Sequence, residues 1–380
     1  MIAVGFEPEH FLDERYRPRP RSAHLLPLWY RLKPLIPRRA QMAARRTVAS
    51  HQRRLHEARG RFPRWPIETV LVDAADRRLR DRVRRSPSGR VPVIDPWPHG
   101  HRFAYVLTHD VEGPDGLANI DPLLDVERRH DVVSAWFIVA DDYPVDERAL
   151  DRMRAAGGEI GLHGLHHDGR LFQSREHFTW QLPAIHRRLR EWRADGFRSP
   201  ATHRRAEWMS DLGCAYDSSF PDTHPFDAQP GGCCSILPYF LGDVVELPIT
   251  LPQDHTLFEL LRERDISIWR EKAAWLAEHG GLVNVLVHPD YCLTDDRVAH
   301  YEDLVAFLGG LDGGWHALPR DVARWWRRRA ALEAALEAGD MPDADTLAAA
   351  GASLSWARER DGRIVFETEG TQASDDLLHA

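Results

Sequence analysis

The chain has 380 residues, 43% of them hydrophobic and 28% charged, with a net charge of −8. These values are ordinary for a globular protein long enough to bury a large core. No apolar run approaches the ~20 residues that span a bilayer, and the opening MIAVGFEPEHFLDERYRPRP lacks the apolar stretch of a secretion signal, so the expected location is the cytoplasm. Charge is uneven: residues 1–100 carry a net +12 and the remaining 280 a net −20, which implies two regions with different partners. No nucleic-acid partner is expected.

Residues 1–100 read as a basic N-terminal helical extension. Leu25 to Arg59 holds one or two helices broken at Pro34 and Pro37, mixing Trp29, Tyr30 and Leu32 with Arg31, Lys33, Arg38, Arg45 and Arg46. The favoured reading is a helix docked on the main domain with a solvated basic face, because no long uninterrupted amphipathic stretch is present. The alternative is peripheral contact of residues 25–60 with an anionic membrane or another polyanion. Phe62-Pro-Arg-Trp-Pro66 is expected to be a rigid connector.

From 101 to 329 short apolar runs alternate with amphipathic stretches. The runs are Phe103–Leu107, Val132–Val139, Glu159–Leu162, Gly196–Arg198, Val244–Ile249 and Leu282–Val287. Helices are expected at Ile120–Arg129, Glu147–Ala155, Glu176–Trp192 and Trp269–Glu278. Leu282-Val-Asn-Val-Leu-Val287 is almost wholly apolar, as suits a strand buried on both faces. Such alternation implies a parallel sheet, open or closed into a barrel, with its active site at the C-terminal strand ends. Residues 330–380 are expected to give a helix at Ala330–Ala338, a β-hairpin over 353–369 turning at Asp361-Gly362, and a flexible tail. Leu354, Trp356, Ile364 and Phe366 of that hairpin would cover one face. The four cysteines, Cys214, Cys233, Cys234 and Cys292, contain no CxxC pair and read as small apolar filler with at most one exposed thiol.

The ends of the runs carry the chemistry. The first leads into Thr108-His-Asp-Val-Glu112, the third into His163-Gly-Leu-His-His167, the fourth contains Arg198, and the last ends in His288-Pro-Asp290. Parallel strands would gather all of these at one rim. His163 and His167, four apart, would point the same way on a helical turn and share one cation. One carboxylate completes a two-histidine, one-carboxylate set with open positions. Asp110 and Glu112 lie on one face of an extended chain, so one can bind metal while the other takes a proton. A chain with 21 histidines produces an HxxxH by chance, and Asp-x-Glu is commoner still. The order of the motifs, each ending an expected strand, carries the inference.

These ordered motifs resemble the polysaccharide deacetylase family (carbohydrate esterase family four) over roughly 101–320. Thr108-His-Asp-Val-Glu112 resembles its Thr-Phe-Asp-Asp segment, His163–His167 its His-(Ser/Thr)-x-x-His ligands, and Arg198-Ser-Pro200 its Arg-x-Pro motif. Gly213-Cys-Ala-Tyr-Asp-Ser-Ser219 and Leu286-Val-His288 resemble the remaining two. Two departures stand out: Glu112 where the family has an aspartate ligand, and Gly164 where it has a hydroxyl residue that braces the histidine turn. The resemblance implies an α/β fold, a distorted, incomplete (β/α) barrel, flanked here by the N-terminal helical extension and the small C-terminal hairpin.

It also implies a metal-dependent hydrolase of C–N bonds other than peptide bonds, removing an N-acyl group, N-acetyl first, from an amino sugar or carbohydrate precursor. Glu112, His163 and His167 would hold one divalent ion, zinc before nickel, cobalt, iron or manganese. Asp110 would be the base, His288 the acid, Arg198 the group that keeps Asp110 ionised, and Asp217 a partner that orients Arg198 or His288. Asp217 reads equally well as a cap in Asp-Ser-Ser. His109 and His166 are metal-capable but each neighbours a better candidate. Two other readings remain: a same-fold hydrolase of a non-sugar C–N bond such as a cyclic imide or ureide, and a non-catalytic carbohydrate-binding protein. A binding protein needs neither base nor acid.

Overall fold

Strand β2 (Phe103–Val111) is buried along its whole length and organises the protein. The computed structural model describes residues 7–17, 38–226 and 229–368; the N-terminal part of the expected 25–60 segment and the tail lie outside them. One edge of β2 pairs in parallel with β9 (Leu282–Val287). The other pairs with β10 (Gly314–His316) at its start and with β3 (Ser134–Ile138) further on. From β3 the sheet continues in parallel through β4 (Glu159–Leu162), β5 (Gly196–Phe197), β6 (Tyr216–Asp217) and β8 (Val244–Glu246), and antiparallel β7 (Tyr239–Leu241) ends it.

The curled sheet almost closes. Thr250 Oγ1 donates to Leu282 O at 2.6 Å, Leu251 N to Asn284 O at 3.2 Å, and Asn284 Nδ2 to Leu247 O at 3.1 Å. That seam is made mostly by side chains rather than by a ladder, as an incomplete barrel requires.

Alternation along each strand decides what faces inward. Ala104 and Val106 of β2, Phe137 of β3, Tyr216 of β6 and Val245 of β8 fill the barrel interior. Phe103, Tyr105 and Leu107 of β2 and Trp136 of β3 pack outward against the helices. Those helices are Asp121–Arg129, Glu147–Ala155, Arg175–Trp192, Ser267–Glu278 and Asp295–Gly309. Two start on side-chain caps: Asp146 accepts from Arg148 N and Ser174 from His177 N. The expected helix at Ala330–Ala338 is the end of a longer one, Pro319–Glu337. All four cysteines are buried and unpaired.

β2 runs four residues beyond the expected end at Leu107. Thr108, His109 and Asp110 find buried partners (Val285 O, Glu127 and Arg198), so polar residues continue the ladder where an apolar pattern stops. The helix Val70–Arg85 and strand β1 (Arg90–Ile94) were not legible in the Arg-rich sequence. They join the C-terminal hairpin, β11 (Leu354–Arg360) and β12 (Arg363–Thr368), in a sheet of order β1-β11-β12. The helix covers it through Val83 beside Val91 and Ala357.

The hairpin turns at Asp361 (φ 50°) and Gly362 (φ 73°), the left-handed pair that a two-residue turn demands. This turn pairs Glu359 with Ile364 and Ala357 with Phe366. Ile364 and Phe366 therefore lie on the face opposite Leu354 and Trp356, which corrects the expected single apolar face. Phe366 stays 57% exposed.

The described parts of the N-terminal region pack on the barrel. Helix Arg38–Arg59 seats Ala49 against Leu260, Arg46 donates to Glu259 O at 2.8 Å, and Arg53 pairs with Glu263. Residues 7–17 are tied to the barrel by Glu14, which accepts from the buried Arg204 at 2.8 Å, and by Tyr16 donating to Gly232 O.

At the barrel floor Glu159 accepts from Tyr216 Oη at 2.8 Å and from Arg320 N at 3.1 Å. Burial pushes its carboxyl from 4.5 up to about 7. Because the folded state holds this proton more tightly, the contribution of Glu159 to stability is greatest at low pH and falls as pH rises from about 4.5 to 7. Glu159→Gln, which carries no charge to bury, is expected to flatten that slope and to raise unfolding free energy above pH 7 by up to about 3 kcal/mol. Denaturant titrations at pH 5 and pH 8 check it; an unchanged slope would refute the assignment.

Candidate active site

The same alternation that fills the barrel delivers polar groups to its C-terminal mouth. Ala104 and Val106 point inward, so Thr108 and Asp110 do too; Gly161 faces Phe137, so His163 follows it inward. Tyr216 puts Ser218 inside, and Asn284 leads to His288. The odd-numbered side chains of β2 go the other way. His109 packs on Trp136, ring centres 4.3 Å apart, and bonds Glu127 Oε1 at 2.8 Å and Val287 O at 3.0 Å, outside the barrel and away from the mouth.

Arg198 is fully buried and donates from all three nitrogens of its fork. Nη1 donates to Asp110 Oδ1 at 3.0 Å and to Thr108 Oγ1 at 2.8 Å; Nε and Nη2 donate to Ser218 O at 2.7 Å and Ser218 Oγ at 2.8 Å. Its guanidinium carbon lies 4.4 Å from the centre of the Phe137 ring. A buried guanidinium is tolerated here because each of its three nitrogens has an acceptor.

Asp110, 2% exposed, places Oδ2 3.7 Å from His163 Nε2 and 4.0 Å from His288 Nε2. Burial alone would raise its carboxyl; the charges of His163, Arg198 and His288 outweigh it and hold the group below the usual range.

The two ligand-type imidazoles are set differently. His163 Nδ1 donates to Arg198 O at 3.0 Å. A carbonyl can only accept, so Nδ1 carries the hydrogen and Nε2 presents a lone pair. Burial lowers this imidazole to about 4. His163 Nε2 is buried without a hydrogen-bond partner, and His167 Nε2 lies 3.1 Å from Glu112 Oε1. With a carboxylate oxygen of Glu112 they lie within 4.8 Å of one another. Two imidazole nitrogens converging with a carboxylate oxygen are a donor set that fits a divalent ion. Burial raises Glu112, but His167 outweighs it and holds the carboxyl well below its ordinary range.

The His163–His167 segment is an irregular turn, not the expected helical one. Gly164 sits at φ 69°, and a Cβ there would lie 2.9 Å from Pro200 Cδ. Backbone and neighbour therefore both disfavour a hydroxyl residue at this position. Asp142 supplies the brace instead: Oδ2 accepts from His167 N at 2.7 Å and Oδ1 bonds His166 Nδ1 at 2.7 Å.

Of its two readings, Asp217 takes the cap in Asp-Ser-Ser and not the orienting role. Tyr216 and Ser218 face inward, so Asp217 faces out, where it accepts from Ser219 Oγ at 2.8 Å and Ser219 N at 3.1 Å beside Glu246. Orienting Arg198 falls to Ser218. Orienting His288 falls to Asp254, which the sequence reading missed. Asp254 Oδ1 pairs with His288 Nδ1 at 2.6 Å and Oδ2 accepts from His288 N at 2.9 Å. The available signal was an acidic residue just past the β8 apolar run, in Leu251-Pro-Gln-Asp254. Burial lowers His288, yet Asp254, Glu112 and Asp110 together raise it to about 10, so it is an imidazolium at neutral pH.

No protein-family model matches the chain and no curated protein matches its sequence. Solved structures do. A protein assigned as a polysaccharide deacetylase from Mycobacterium smegmatis superposes with a TM-score of 0.52 at 20% identity, covering 63% of this chain and 94% of that one. One similarly assigned from Pseudomonas aeruginosa PAO1 gives 0.47 at 19% identity, with 61% and 93% covered. PuuE allantoinase gives 0.49 at 17% identity, with 63% and 95% covered. Among the described residues no helix is long and apolar enough to cross a membrane. By its curled, mostly parallel sheet and the first of these superpositions, the chain has the α/β barrel fold of the polysaccharide deacetylases.

Proposed function

We propose that this protein is a metal-dependent hydrolase that removes an N-acyl group, N-acetyl first, from an amino sugar or a carbohydrate precursor. The observation that carries the reading is the convergence of His163 Nε2, His167 Nε2 and a Glu112 carboxylate oxygen within 4.8 Å of one another, with Asp110 and His288 alongside. Two imidazoles and one carboxylate are a donor set found in catalytic zinc sites. Bound by Glu112, His163 and His167, such an ion supplies Lewis acidity toward the acyl oxygen and the attacking water.

The chain's own groups handle the protons. Asp110, kept ionised by Arg198, accepts a proton from water as its oxygen attacks the acyl carbon. The His288 imidazolium then gives a proton to the amide nitrogen as the C–N bond breaks, so the amine leaves neutral. Asp254 fixes which ring nitrogen faces the substrate. Asp110 Oδ2 and His288 Nε2, 4.0 Å apart, are too far apart to bond each other and near enough to serve one reacting centre between them. The acid and the amine are the two products. A cytoplasmic setting would favour small or carrier-linked amino sugars over finished polymer.

The test is a substrate panel: N-acetylated amino sugars, free and nucleotide-linked, against cyclic imides and ureides, with and without zinc. The expected result is acetate release that a chelator abolishes and zinc restores. Ring opening without acetate release would replace this reading with the cyclic-amide one. Saturable sugar binding with no turnover would replace it with a binding protein.

A further inference from the structure

The third member of the proposed metal set is the least constrained by its own backbone. β2 ends at Val111, so Glu112 is the first residue beyond the sheet, with its side chain 22% exposed. It is also long and flexible, and a carboxylate on a free side chain has many rotamers to lose before it can serve as a ligand. Two residues just after His288 remove that freedom. Asp290 Oδ2 accepts from Glu112 N at 2.9 Å, and Tyr291 Oη donates to Glu112 Oε2 at 3.1 Å. The other oxygen, Oε1, is left 3.1 Å from His167 Nε2 and 3.8 Å from His288 Nε2.

The holding segment is itself stiff. Asn119 Nδ2 donates to Pro289 O at 3.0 Å and to Cys292 O at 2.8 Å, and Tyr291 N to His288 O at 3.0 Å. The Tyr291 ring packs on His255 at 5.0 Å and on His288 at 5.3 Å. The chain after Glu112 is shaped around Asp290: a Cβ at Gly116 would fall 2.0 Å from Asp290 Oδ2, and one at Gly113 would fall 3.3 Å from Oδ1.

We propose that Asp290 and Tyr291 are positioning residues that hold Glu112 with Oε1 turned toward the imidazoles, and that Tyr291 thereby determines how tightly the centre binds a divalent ion. The inference rests on the metal-site reading above and deepens it. Asp290 fixes the Glu112 backbone and Tyr291 fixes the carboxylate plane. The segment that carries the proton-donating His288 therefore also aims the ligand.

Zinc affinity of the full chain, measured by competition with a chromophoric chelator and paired with thermal unfolding of the metal-free protein, tests this. Tyr291→Phe is expected to lose about 10–100-fold in affinity, the usual effect of removing a ligand's hydrogen-bond partner, with the unfolding midpoint unchanged. Asp290→Asn, whose amide oxygen still accepts from Glu112 N, is expected to keep most of the affinity, and Asp290→Ala to lose it. In a Glu112→Ala background Tyr291→Phe should leave the residual two-histidine affinity unaltered. Wild-type affinity in Tyr291→Phe overturns the proposal, as does an equal loss when Glu112 is absent. Failure of the wild-type chain to bind zinc at all overturns the metal reading and this inference with it.

Discussion

Asp110→Asn is expected to lower turnover by about 10³-fold or more, within the range that a positioned general base contributes, while zinc affinity stays close to that of the wild type. The two outcomes separate because Asp110 is not one of the three groups that share the donor cluster. Its Oδ1 is engaged by Arg198 at 3.0 Å, and only Oδ2 faces the histidines. An asparagine keeps an oxygen for the Arg198 Nη1 donor, so the buried guanidinium retains its partner. It has no basic oxygen to accept the proton from water. The loss of negative charge beside Arg198 is expected to cost about 2 kcal/mol of stability, less than removing the acceptor altogether. Single-turnover acetate release, zinc titration and urea unfolding on the same preparation check all three. Retained turnover would remove Asp110 from the base role.

His163→Ala is expected to abolish tight zinc binding together with activity. The signature is thermodynamic as well as kinetic. A ligand that binds only the folded state, at a hundred-fold excess over its dissociation constant, stabilises by about 2.7 kcal/mol. The wild-type chain should show that gain on adding zinc and His163→Ala should not. The substitution also removes the bond from His163 Nδ1 to Arg198 O, a loss of about 1 kcal/mol in the metal-free protein. A zinc-induced shift that survives in His163→Ala would mean that the ion sits elsewhere.

Part of the site was legible because its signals are local. Thr108–Glu112, His163–His167, Arg198 and His288 each stand where an apolar run ends, and a run is visible in a few consecutive residues. The structure brings Asp110, Glu112, His163, His167, Arg198 and His288 to one barrel mouth. Asp254 was missed because nothing near it in sequence hints at His288; the two meet only because the chain after β8 passes beside β9. Asp217 was given a part because it lies in a motif. Whether Asp217 or Ser218 faces Arg198 depends on the phase of a two-residue strand, too short for any pattern to set.

Sequence alone determined those elements whose pattern is local: β9 as an apolar run, Glu147–Ala155 as an amphipathic helix, the hairpin turn at Asp361-Gly362. Each of these follows from side-chain period or turn chemistry within about a dozen residues. Only the tertiary structure decided which face each strand turns inward, that β1 pairs with β11, that Asp142 braces the turn where Gly164 has no side chain to do so, and that Tyr291 reaches Glu112. Those choices depend on strand register and on contacts between segments far apart in the chain. Their energies exist only once the barrel has brought the partners together.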